Sequence, residues 1–125
     1  MKFRATPRVS GNVLIIDMIG TLKLGEGIAE FRKDIRKYLD EGHRRILLNL
    51  AGVEHLDSSG IGELVSAYST AKREGGEVKL LKLSRAVDNA LLATKLYTIF
   101  DIHNDEGEAV ASFRCPSSQI FFTPA

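Results

Sequence analysis

The sequence predicts an α/β fold: a single domain on a mixed, mostly parallel β-sheet of four to five strands with about four helices. Three observations carry this expectation. Short apolar runs rich in branched residues stand at Val13–Ile19, Arg45–Leu50 and Glu77–Leu83, the pattern of buried strands. Segments with apolar residues at helical spacing lie between them. Glycines mark most of the changeovers, and strands alternating with helices favour parallel pairing.

Taken in order, Lys2–Thr6 reads as a first strand, with Pro7 and Ser10-Gly11-Asn12 turning the chain into a hairpin. Val13–Ile19 is the second strand, closed by Gly20. A helix fills Gly25–Gly42, since Ile28, Phe31, Ile35, Tyr38 and Leu39 fall on one face. Gly42 stops it, and His43, Arg44 and Arg45 suit the negative helix end. Arg45–Leu50 is the most buried strand expected.

A second helix follows from near Ser58 or Ser59, with Ile61, Leu64, Val65, Tyr68 and Ala71 on one face, and ends at Gly75-Gly76. Glu77–Leu83 is the next strand. Ala86, Val87, Ala90, Leu91 and Thr94 suggest a third helix, Thr98–Phe100 a short last strand, and Glu106–Phe113 a last helix. The segment from Arg114 to Ala125, with Phe121 and Phe122, has no assigned structure.

The 125 residues fit one domain able to bury a core without disulfides or a structural metal. With 17 basic against 16 acidic side chains there is no cationic excess, so direct nucleic-acid binding is not expected. Lys72, Arg73 and Lys79 read as solvated charges. Cys115 is alone, which excludes an internal disulfide and points to a reducing compartment. The first ten residues lack the apolar run of a signal peptide, and no stretch is long enough to span a bilayer. A cytoplasmic protein without membrane insertion is expected.

The specific chemistry sits in Leu50–Leu64. Asp57 and the two serines after it are good helix N-cap residues, because their oxygens accept bonds from free amides. Gly60 and Gly62 fall in the first turns, where each costs about 1 kcal/mol against alanine. Small residues around a hydroxyl leave room for a partner to approach. The start of a helix also favours negative charge, and a phosphate on Ser58 would bring about −1.5 to −2 charges there. Such a change would act on whatever docks there and leave the fold intact. The plain alternative is that Asp57 and Ser58 only cap a helix.

Other readings are poorer. Gly60-Ile61-Gly62 mimics the start of a dinucleotide fingerprint, but Val65 holds the third glycine position. His55, Asp57 and Ser58 are the residue types of a catalytic triad without nucleophile-elbow spacing. His43, His55 and His103 are too dispersed to form a metal site. No catalysis, metal or cofactor is expected.

Asp57-Ser58-Ser59-Gly60-Ile61-Gly62, after a strand ending Leu48-Asn49-Leu50, closely resembles the STAS family of sulphate-transporter domains and anti-sigma-factor antagonists. Gly20-Thr21-Leu22, Gly75-Gly76 and Leu96-Tyr97-Thr98-Ile99-Phe100 extend the resemblance from about Phe3 to Phe113. It implies a STAS-like domain over residues 1–113 and a tail over 114–125. It also implies a bacterial phosphoprotein that controls transcription by partner switching. The unphosphorylated form would bind an anti-sigma factor with serine kinase activity and so release a sigma factor. Phosphorylation of Ser58 would inactivate it, and a metal-dependent serine/threonine phosphatase would reverse the mark. Asp57, Ser58, Ser59, Gly60, Ile61, Gly62, Thr21 and Lys23 would form the docking surface. Lys23 departs from the family's acidic residue after Gly-x-Leu, which bears on which partner is accepted. The resemblance equally admits a scaffolding subunit of a stress-sensing assembly or a transporter complex.

Overall fold

The computed structural model describes residues 2–113. The tail from Arg114, with Cys115, Phe121 and Phe122, lies outside the described residues. Five strands and four helices follow in the order β1 (Arg4–Ser10), β2 (Val13–Leu22), α1 (Glu26–Asp40), β3 (Arg45–Leu56), α2 (Ser58–Arg73), β4 (Glu77–Leu81), α3 (Arg85–Thr94), β5 (Ile102–His103) and α4 (Glu106–Ser112). The strands form one sheet in the order β1-β2-β3-β4-β5. β1 pairs antiparallel with β2, and every other pair is parallel. This is the mixed, mostly parallel sheet that the strand and helix alternation predicts. Among the described residues no helix is long and apolar enough to cross a membrane.

The paired centre explains the continuous apolar runs. β2 and β3 align Leu14 with Ile46, Ile15 with Leu47 and Ile16 with Leu48, all buried. Helices cover both faces there, so neither side chain direction meets water. Leu14, Ile16, Met18, Ile46 and Leu48 join the main core with Phe31 and Ile35 of α1, Leu64 of α2 and Val87 and Leu91 of α3. Val13, Ile15, Leu47 and Leu81 face the other way, against Ala109 and Phe113.

Local departures from the sequence reading have identifiable causes. β1 runs through Pro7 to Ser10, whereas the proline was expected to turn the chain. An edge strand tolerates the missing N–H on its open side, and the turn shrinks to Gly11-Asn12, with Gly11 at φ 64°. β3 continues past Leu50 to Leu56 because its second half still pairs with β2, after its pairing with β4 stops at Asn49. β4 ends at Leu81, where Lys82 turns the backbone at φ 52°. Thr98–Phe100 is not a strand. Leu96–Thr98 forms a 3-10 turn, and Phe100 is buried edge-on against Tyr68, with ring centres 5.5 Å apart. The last strand is the two-residue β5.

Two polar clamps hold α4. The Arg8 guanidinium lies between Asp17 (Nε to Oδ2, 2.7 Å) and Glu106 (Nη2 to Oε1, 2.6 Å). Its hydrogen bonds hold both carboxyls below the usual carboxylate range. At the far end Lys79, expected in solvent, is buried: its Nζ lies 2.8 Å from Ser112 Oγ and 3.0 Å from Asp101 Oδ2. Helix α4 is short and docks through Ala109, Val110 and the following Phe113, with these charges adding to a small apolar contact. Arg8→Gln should therefore speed amide hydrogen exchange across residues 106–113 while β2 and β3 stay protected. Unchanged protection in α4 would show that its apolar contacts suffice.

Candidate functional site

The site forms where β2 and β3 end side by side, with Leu22 opposite Leu56. From there β2 passes into a short loop before α1, and β3 passes directly into α2. Asp57 is the N-cap of α2, with extended backbone at φ −105° and ψ −174°. Its Oδ1 accepts the Gly60 N–H at 3.0 Å, the bond expected of a capping carboxylate. Its Oδ2 accepts the Leu24 N–H at 3.2 Å, reaching across to the neighbouring loop. Its own N–H donates to the Leu22 carbonyl at 3.4 Å. One residue thus ties the start of α2 to both sides of Lys23.

The Gly60 amide holds the Asp57 carboxyl below the ordinary aspartate range; the Leu24 amide adds to this, and partial desolvation opposes it. No other acidic residue lies in the first turn of α2. The positive end of the helix therefore faces a single carboxylate.

Ser58 is the first helical residue and is exposed. Among the described residues its hydroxyl has no hydrogen-bond partner. Ser59 is half-buried and Gly62 is exposed, with open space around it. Thr21 is half-buried on β2, paired with His55, and Lys23 is exposed on the loop.

Two of the predicted docking residues turn inward. Ile61 is only 6% exposed and belongs to the core, as the helical spacing of Ile61, Leu64 and Ala71 requires. Gly60 is buried too. A Cβ there would fall far inside contact with the Leu22 carbonyl oxygen and 2.9 Å from Leu56 Cδ1. Its small size serves the close approach of the β2–α1 loop and gives a partner no access. Leu24, absent from the predicted surface, is 78% exposed beside Lys23. The available signal was an apolar residue between the last strand position and a glycine, outside any periodic pattern.

The geometry also bears on the poorer readings. Both Asp57 oxygens receive backbone amides, and among the described residues the His55 side chain makes no hydrogen bond or ion pair with an aspartate. Gly60 is packed under Leu22, which closes the backbone surface that a pyrophosphate would need. His43 stacks edge-on with Tyr38 at the opposite end of β3, and His103 lies beside Asp101 on β5.

A model of the STAS domain matches residues 4–109. The chain is 27% identical over 88 residues to the anti-sigma F factor antagonist of Paenibacillus polymyxa, covering 66% of this chain and 75% of that protein. It superposes with a TM-score of 0.81 on the crystal structure of a Thermotoga maritima protein provisionally named an anti-sigma factor antagonist. The two are 26% identical, over 89% of this chain and 95% of that one. Unphosphorylated SpoIIAA, an anti-sigma factor antagonist of Bacillus, shares the fold at a TM-score of 0.73 and 22% identity, over 90% of this chain and 96% of its own.

The two glycines should respond oppositely to alanine. Gly62→Ala fills open space and gains helix propensity, so it should stabilise the domain by up to about 1 kcal/mol. Gly60→Ala must push the Leu22 carbonyl away and should destabilise it despite the same propensity gain. Urea unfolding of both variants reads the signs. The lowered Asp57 pKa has its own consequence. The stability it contributes is complete above the unfolded-state pKa and drains away as pH falls through the folded value. Asp57→Ala should therefore lose less stability than the unsubstituted protein across the acid range, measured by denaturant midpoints at successive pH values.

Proposed function

The chain belongs to the STAS domain family, and from that membership and the setting of Ser58 we propose that it is an anti-sigma-factor antagonist whose binding state is set by phosphorylation. In this reading the unphosphorylated protein binds an anti-sigma factor that is also a serine kinase. A sigma factor is thereby released. The kinase then places a phosphate on Ser58, the complex separates, and a metal-dependent phosphatase restores the binding form. The protein itself carries out no chemistry.

The observation supporting this most directly is the Ser58 hydroxyl. It is exposed at the first turn of α2, while the capping bond to the Gly60 amide is already made from within by Asp57. A hydroxyl with no internal task can gain a phosphate without breaking a bond that the fold needs. The added charge of about −1.5 to −2 meets the positive end of α2, which favours an anion. The domain tolerates the change. A partner packed over the same spot meets a bulky, hydrated dianion that it must desolvate or avoid. Lys23 and the half-buried Thr21 and Ser59 border the spot and belong to the same proposed surface.

The test needs the purified anti-sigma factor of the source organism and ATP. Peptide mass spectrometry should place a single phosphate on Ser58. Ser58→Ala should remain folded and bind the anti-sigma factor whether or not ATP is present, and Ser58→Asp should bind weakly. Phosphate found elsewhere, or equal binding by the two variants, would remove the switch.

A further inference from the structure

We propose that Leu24 is the apolar contact through which this surface grips its protein partner, and that Asp57 is the positioning residue that holds Leu24 in place. The proposal rests on the anti-sigma-factor reading above and names two roles within it. Leu24 is the most exposed of the large apolar side chains among the described residues, at 78%. A single exposed leucine is ordinary in itself. What sets this one apart is its mooring. The Asp57 carboxylate accepts its amide, and the Asp57 amide binds the Leu22 carbonyl two residues earlier.

These two bonds tether the loop to the start of α2 just before Gly25, whose φ is 121°. A backbone tethered in this way spares the partner part of the entropy of ordering the loop that carries Leu24. The same carboxylate adjoins Ser58 in the chain, so one residue links the Leu24 backbone to the position of the hydroxyl. Each Asp57 oxygen is engaged within the fold, one by the Gly60 amide and the other by the Leu24 amide. Asp57 acts through its neighbours. The exposed Lys23 ammonium next to Leu24 fits a partner whose apolar pocket is edged by a carboxylate.

The test measures binding of the purified anti-sigma factor to the unphosphorylated full chain by calorimetry. Leu24→Ser, a surface change, should weaken binding by about tenfold or more. Asp57→Asn keeps the size of the side chain but loses one of its two acceptor oxygens. It should weaken binding and raise amide exchange at Leu24 in the free protein. The decisive readout is the double variant. If Asp57 acts by placing Leu24, Leu24→Ser costs much less in the Asp57→Asn background than alone. Effects that multiply independently would reduce Asp57 to a helix cap and overturn the positioning role. Leu24→Ser binding like the unsubstituted protein would overturn the contact. Ser58→Asp measured in parallel separates the two proposals. If it binds normally while Leu24→Ser is weakened, the phosphorylation switch fails and the Leu24 contact stands. The reverse pattern sinks the Leu24 contact alone. An unsubstituted protein that does not bind the anti-sigma factor overturns the shared premise.

Discussion

The site depends on one carboxylate serving two chain segments. Parallel pairing brings the ends of β2 and β3 together, but it stops at Leu22 and Leu56. Beyond that line nothing in the sheet holds the β2–α1 loop against the start of α2. Asp57 does so, taking an amide from each side, and Gly60 lets the two backbones come close enough for the bridge to form. A longer residue at 57 would not reach both amides in the same way, and a side chain at 60 would force the segments apart. The cap and the glycine are therefore one device.

This arrangement separates what must stay constant from what can change. The apolar face of α2, through Ile61, Leu64, Ala67 and Ala71, is committed to the core. The capping task falls to Asp57. Ser58, next along the chain, carries neither duty. A change of charge there is felt by the solvent, the helix dipole and any docked protein, and hardly by the packing beneath. That division is what a reversible modification requires: the folded state must survive both forms with little difference in free energy.

Much of this was legible in the sequence. The runs at Val13–Ile19 and Arg45–Leu50 are apolar on both alternations, which only a sheet covered on two sides explains. The α1 residues from Ile28 to Leu39 and the α2 residues from Ile61 to Ala71 show a helical period, and Asp57 before them marks a cap. What could not be read depends on contacts distant in the chain. Phe100 resembles a strand residue until Tyr68, 32 positions earlier, is seen against its ring. Lys79 looks solvated until α4 is seen lying over it. Gly60 and Gly62 are the same letter two positions apart, yet one lies beneath a carbonyl from β2 and the other faces open space. The reach of Asp57 to Leu24 spans 33 residues, and no local pattern announces it.

Pro7, inside β1, has a wider consequence. An exposed strand edge ordinarily invites another chain to add itself by backbone pairing. Here Pro7 removes a donor from the outer strand, and Arg4 and Arg8 place charge along it. At the other margin β5 offers only two residues, too few to template a strand. Neither margin of the described sheet suits intermolecular strand addition. What this sheet offers a neighbouring chain is therefore side chains and not backbone, and a fit built of side chains can be altered one group at a time.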